Sequence, residues 1–185
     1  MLALCASGLS NPARGDATSG FASAPDIIET VSPQKGPGWS LSIVGGPTKE
    51  EVLTARPDVG LPGLHALRLD VSGRKARAVI MRPAPDARPV VQRDTLLSYI
   101  VFPVADPQSL VNPATFSAID VVFADGSRAS TQGATDRAGS ALTPSGQGLG
   151  RALYPNQWNR VDVSLGAVAQ GKRIVALELV SAAPP

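Results

Sequence analysis

The sequence predicts an all-β fold, an antiparallel β-sandwich of jelly-roll type. Three observations point there. From Trp39 onward, short apolar runs alternate with turn residues. Gly 18 and Pro 17 together make about a fifth of the 185 residues, a composition typical of many short strands. Helical periodicity is almost absent, and roughly eight strand-like runs follow one another without crossover helices.

Residues 40–44 are the first expected strand, ended by Gly45, Gly46 and Pro47. Residues 48–54 are expected to make one or two helical turns, because Thr48 and Glu51 stand at capping-box spacing. Leu67, Leu69 and Val71 alternate with Arg68 and Asp70, the period of a half-buried strand. Ser72 and Gly73 close that run, and residues 76–82 are expected to return as its partner. Pro83, Pro85 and Pro89 then mark a loop, since proline has no N–H to give to a ladder. Residues 95–102 are rich in Leu, Tyr, Ile, Val and Phe and read as a buried strand stopped by Pro103. Ile119, Val121 and Phe123 alternate with Asp120 and Val122. Asp125-Gly126 is a hairpin signal, with residues 127–131 expected to return. Residues 130–150 read as one long loop rich in Gly, Ser and Thr. Val161, Val163 and Leu165 alternate with Arg160, Asp162 and Ser164. Residues 172–180 form the last strand, with Glu178 expected to face out.

The length suits one domain able to bury a core without disulfides or metals. Residues 1–24 read as a disordered N-terminus or a signal-peptide remnant, 25–180 as a single β-sandwich, and 181–185 as a tail. A secreted or cell-envelope location follows if an upstream start completes the signal. No apolar stretch approaches the roughly 20 residues of a membrane-spanning helix, so no transmembrane segment is expected. The charged fraction of 17% against 43% hydrophobic excludes a disordered polyelectrolyte. The net charge is +2 with no basic run, which argues against nucleic acid as a partner. One Cys excludes an internal disulfide framework, and one His, His65, excludes a multi-histidine metal cage.

Catalytic signatures are missing in the same way. Gly146-Gln147-Gly148-Leu149-Gly150 does not follow a strand and open a helix, so it is no dinucleotide fingerprint. His65 stands alone as a base for a serine nucleophile and reads as a structural or surface residue. Glycoside hydrolysis needs two facing carboxylates. The four Glu are Glu29, Glu50, Glu51 and Glu178, and Asp86, Asp106, Asp125 and Asp136 sit at turns. No residue is assigned a catalytic role.

Seven segments, taken in order, carry a resemblance. They are residues 54–60 (TARPDVG), 63–68 (GLHALR), 93–99 (RDTLLSY) and 112–120 (NPATFSAID). Residues 123–127 (FADGS), 142–144 with 147–148 (LTP, QG), and 153–161 (LYPNQWNRV) complete the set. In this order they resemble the N-terminal galactose-binding-like module of actinobacterial α-mannosidases of glycoside hydrolase family 92. The likeness runs over residues 54–177, some two-thirds of the chain. It implies a galactose-binding-like β-sandwich tied to a secreted enzyme whose catalysis belongs to later domains. The family continues into a Tyr-Asp-Asn segment and a final strand with paired Asp residues. Glu178-Leu179-Val180-Ser181 stands in place of that start, so a sandwich lacking its last strand is expected.

The resembling residues suggest a ligand site. Trp158 stands with Tyr154, Asn156 and Gln157 just before an alternating strand. An aromatic face can stack on a sugar ring while amides bind its hydroxyls. The opposing reading places Trp158 in the core, with Asn156, Gln157 and Asn159 as turn residues. Trp39 carries the same ambiguity, and Arg56 with Asp58 reads as a loop pin beside Arg68. Asp136, Arg137, Thr143 and Gln147 lie in the long loop, the other expected contact region. Asp94, Asp125 and Asp136 could serve calcium, although no dense acidic loop is visible.

Three functions therefore compete. The first is a non-catalytic accessory module that binds a mannose-containing glycan. The second is a structural module that docks on a mannosidase catalytic domain and binds no sugar. The third is a truncated fragment of an α-1,2-mannosidase-like glycoside hydrolase.

Overall fold

The computed structural model describes residues 2–10, 48–53, 66–71, 76–105 and 107–185. Among them lie eight strands: β1 (Leu2–Ser10), β2 (Thr48–Leu53), β3 (Ala66–Val71), β4 (Ala76–Met81), β5 (Leu96–Pro103), β6 (Ser117–Phe123), β7 (Asn159–Ser164) and β8 (Ile174–Ser181). They form two antiparallel sheets, one in the order β2-β3-β1-β5-β7 and one in the order β4-β8-β6. Two short α-helices, α1 (Pro144–Leu149) and α2 (Gly166–Ala169), and three 3-10 turns also lie among the described residues. The fold is all-β, and none of the described helices is long and apolar enough to cross a membrane.

The alternation seen in the sequence sets the core. Leu97, Tyr99 and Val101 of β5 join Val161 and Val163 of β7. From the other sheet come Ile119, Val121 and Phe123 of β6 with Ile174, Leu177 and Leu179 of β8. Burying each such side chain is worth about 1.5–3 kcal/mol relative to exposure. The Tyr99 hydroxyl accepts from the Ile119 N–H at 3.4 Å and so ties the two sheets across the core. Burial pushes its pKa up, which keeps it neutral.

Several expectations are corrected. Residues 48–53 are a strand, not helical turns. Each is matched to β3, from Thr48↔Val71 to Leu53↔Ala66. A helix of one or two turns is marginal on its own, and a ladder supplies the backbone partners instead. Residues 76–81 do not return onto β3. Both edges of β3 are taken, by β2 and β1, and β4 pairs with β8 in the other sheet.

Glu178 does not face out, being only 8% exposed. It lies on the central strand of its sheet, between Val79 and Asp120 in register. Like charges directly opposite one another repel, and each carboxylate has its own partners. Arg128 donates to Glu178, and Arg77 lies 3.4 Å from the same oxygen. Asp120 accepts from the Ser130 N–H at 3.0 Å and its hydroxyl at 2.5 Å.

The Asp125-Gly126 turn sets those partners in place. Gly126 has φ +80, and the Phe123 N–H donates to the Ser127 carbonyl at 2.9 Å. The return is a single bridge, Val122↔Arg128, and not a strand. It then enters a 3-10 turn at Ser130–Gln132.

Residues 130–150 are likewise not a structureless loop. Bridges form at Thr135↔Ala141 and Asp136↔Val163, and α1 follows. The five residues 146–150 therefore belong to a helix and its end. Thr143 caps it, accepting from the Gly146 N–H at 3.0 Å, and Pro144 occupies its first turn. A Cβ on Gly148 would sit 2.6 Å from Cγ of Phe116, so glycine lets the helix close on that buried ring.

The expected strand at 40–44, and Trp39, Arg56, Asp58 and His65, lie outside the described residues.

Candidate functional site

The turn from Tyr154 to Asn159 is built on one side chain. Asn159 is buried at the start of β7, and its Nδ2 donates to the Tyr154 and Gln157 carbonyls, each at 2.8 Å. A third, longer bond from Nδ2 reaches the Val101 carbonyl at 3.4 Å. Its Oδ1 accepts from the Tyr154 N–H at 2.8 Å. A single buried amide thus closes the turn from within.

Asn156 pins the same turn to β5. It adopts a left-handed φ of +57, a conformation asparagine tolerates better than most residues. Its N–H donates to the Pro103 carbonyl at 2.7 Å, and its Oδ1 accepts from the Ala105 N–H at 2.8 Å. Asn156 therefore spends its amide oxygen on the backbone. Gln157 is exposed and contributes its carbonyl to Asn159.

Two aromatics ride on this turn. Trp158 is half-buried, and its ring meets Phe102 edge-on at 5.3 Å between centroids and 65° between planes. That geometry suits the ring quadrupoles. Tyr154 is 55% exposed. Trp158 is thus neither a free platform nor a core plug, since one part packs on Phe102 and another stays open.

The second expected group sits elsewhere. Asp136 Oδ1 accepts from the Ala138 and Ser140 N–H groups at 2.9 and 2.8 Å. Its Oδ2 accepts from Nε2 of Gln147 at 3.1 Å. Gln147 is fully buried and also donates to the Ala141 carbonyl at 3.3 Å. Both neighbours are acceptors, so the amide orientation is fixed and Oε1 has no partner. Asp136 and Gln147 are therefore joined to one another and hold the segment before α1.

Asp136 meets β7 at Val163, whereas Trp158 precedes its first residue. Five residues of extended chain separate them, about 16 Å. Arg137 lies at the Asp136 end, 3.8 Å from Asp162 and donating its N–H to the Asp162 carbonyl at 3.0 Å. The expected residues thus form two groups at the two ends of one strand.

Between them lies a cluster that sequence reasoning missed. The Ser98 hydroxyl donates to Asp162 Oδ1 at 2.6 Å, and Arg160 Nε donates to the same oxygen at 3.0 Å. Burial works to raise the Asp162 pKa, but the Ser98 and Arg160 bonds outweigh it and hold the carboxyl below its usual range. The signal was the alternation itself. Arg160 and Asp162 share one strand face, and Ser98 stands opposite Asp162 in register.

Among the described residues, no group of three or more His, Cys, Asp or Glu could hold a metal ion. Asp125 accepts instead from the Ser127 hydroxyl at 2.6 Å and from Lys172 at 2.9 Å. Those bonds hold its carboxyl well below the usual range. No protein-family model matches this chain, and no curated protein matches it.

Proposed function

We propose that this chain is a non-catalytic, carbohydrate-binding-type module, a jelly-roll sandwich of galactose-binding-like form related to secreted α-mannosidases. The observation that carries the reading is the aromatic turn. Trp158 and Tyr154 sit partly open on a turn held rigid by Asn159 and Asn156. Fixed aromatic faces lose little entropy on binding, so stacking on a sugar ring can give net affinity. The test is calorimetric titration with mannose-rich oligosaccharides. Trp158→Ala and Tyr154→Ala should each weaken binding while the thermal transition remains cooperative. Tyr154 is the safer variant, because its exposed ring can be removed without opening the core. Unchanged affinity in both variants overturns the reading.

A second reading is favoured by one separate observation. Leu110 is fully exposed and Val111 is 49% exposed on the connection between β5 and β6. Exposed apolar side chains of this kind suit docking on another domain, here a mannosidase catalytic domain. Leu110→Ser should then weaken co-purification with such a domain supplied in trans and leave sugar binding untouched.

A further inference from the structure

The strand that follows the aromatic turn carries charge on the same face. Leu97, Tyr99, Val101, Val161 and Val163 point into the core. Ser98, Ile100 and Phe102 of β5, and Arg160 and Asp162 of β7, therefore lie on the opposite face, in the register Ser98↔Asp162 and Ile100↔Arg160. Trp158 meets Phe102 at the head of that face. Two residues on comes Arg160, about 7 Å along the strand. The aromatic ring and the guanidinium thus lie within the reach of one short oligosaccharide.

The charges on this face do not cancel. Arg160 and Arg137 share one carboxylate, Asp162, whose side chain is 15% exposed. The two arginine side chains are 68% and 87% exposed. Arg160 uses Nε on Asp162, which leaves the other N–H groups of its fork free. Arg137, at 3.8 Å, lies beyond hydrogen-bond distance and keeps its whole fork. Asp162 orients Arg160, and the Ser98 hydroxyl in turn holds Asp162. A guanidinium fork held by a carboxylate from behind is a receptor for a second planar or tetrahedral anion in front.

We infer that the β5–β7 face takes an anionic sugar chain, with one ring on Trp158 and a carboxylate or sulfate group on Arg160 and Arg137. This rests on the carbohydrate-binding reading above and names the class of glycan within it. Binding should weaken as salt is added, since both arginines are exposed.

The test is titration of the full chain with three probes: polygalacturonate oligosaccharides, heparin oligosaccharides and neutral mannan oligosaccharides. Arg160→Ala and Arg137→Ala should each lower affinity for at least one anionic probe by about tenfold, the effect of losing a charge-assisted hydrogen bond. Arg82→Ala is the control, an exposed arginine just past β4 in the other sheet. It should leave binding unchanged. A preference for polygalacturonate assigns the group as a carboxylate, and a preference for heparin assigns it as a sulfate. Binding of neutral mannan alone, unaltered in both arginine variants, overturns the anionic assignment and leaves the aromatic platform standing. Equal loss in the Arg82 variant also overturns it, because the attraction is then diffuse. Failure of all three probes overturns the platform as well. Arg137 is the variant that protects against misfolding, since its side chain is 87% exposed.

Discussion

Replacing Asn159 with alanine tests whether one amide builds the candidate site. The substitution removes three hydrogen bonds at 2.8 Å and one at 3.4 Å. Each of the shorter bonds is worth about 1 kcal/mol net. Tyr154 and Gln157 are exposed residues, so water can reach part of the freed backbone and soften the loss. The Val101 carbonyl keeps its place in the core strand and adds little. The expected destabilisation is about 2–3 kcal/mol, a large share of a typical domain's total. Urea denaturation followed by tryptophan fluorescence reads it directly, because Trp158 is the neighbouring residue. With a slope of about 2 kcal/mol per molar, the midpoint should fall by about 1–1.5 M. The same variant should lose glycan affinity, since Tyr154 and Trp158 are then no longer held. A midpoint within about 0.2 M of the parent would refute the claim that Asn159 is the keystone of the turn.

Three further outcomes are expected. Gly148→Ala should cost about 1–3 kcal/mol, because its methyl meets three atoms of the buried Phe116 ring at 2.6–2.7 Å; a neutral result in thermal denaturation would show that the ring yields. Glu178→Gln should cost about 2 kcal/mol or more, since Arg128 and Arg77 lose their shared carboxylate and Arg128 is only 24% exposed; an unchanged urea midpoint would contradict this. The carboxyls of Asp162 and Asp125 are lowered in the folded state, so their contribution is present above the ordinary carboxylate pKa of about 4 and is lost as pH falls below it. Melting temperature should therefore drop on acidification from pH 5 to about 3, and Asp162→Asn should flatten that drop; equal slopes in parent and variant would sink the assignment.

The strands most readable in the sequence were those with one face in the core. At Val161 and Val163 the alternation follows from burial; residues 95–102 read as a buried strand from composition, and the structure buries only the face of Leu97, Tyr99 and Val101. What failed was inference from neighbours along the chain. Residues 76–81 follow β3 in sequence, yet their partner is β8, nearly a hundred residues on. Thr48 and Glu51 carry a genuine helix-start spacing, but a local preference of this size yields to six paired residues. Thr143-Pro144 was also a genuine start, hidden by the glycines after it. Those glycines serve contact with Phe116 and Ala141. At the candidate site, the residue types near Trp158 are legible, and their duties stand between two readings. Asn156 reads either as a group for sugar hydroxyls or as a turn residue, and Asn159 as a turn residue; the Asn156 amide oxygen and the whole Asn159 amide are engaged with the backbone. Only register reveals Ser98 beside Asp162, because 64 residues separate them in sequence.

The placing of β8 bears on how the chain reaches this state. It is the last of the described strands in sequence and lies between β4 and β6. Until it arrives, those two have no common partner, and the wall of the core made by Ile174, Leu177 and Leu179 is missing. Folding must wait for pairings between distant segments, which places it on the slow side for a domain of this size. During that wait, β6 presents an open edge and an apolar face together, the combination that invites wrong partners. A separate peptide covering residues 174–181, supplied to a chain that ends before Ile174, should fill the slot between β4 and β6. The eight-residue β8 thus acts as a latch that joins β4 to β6.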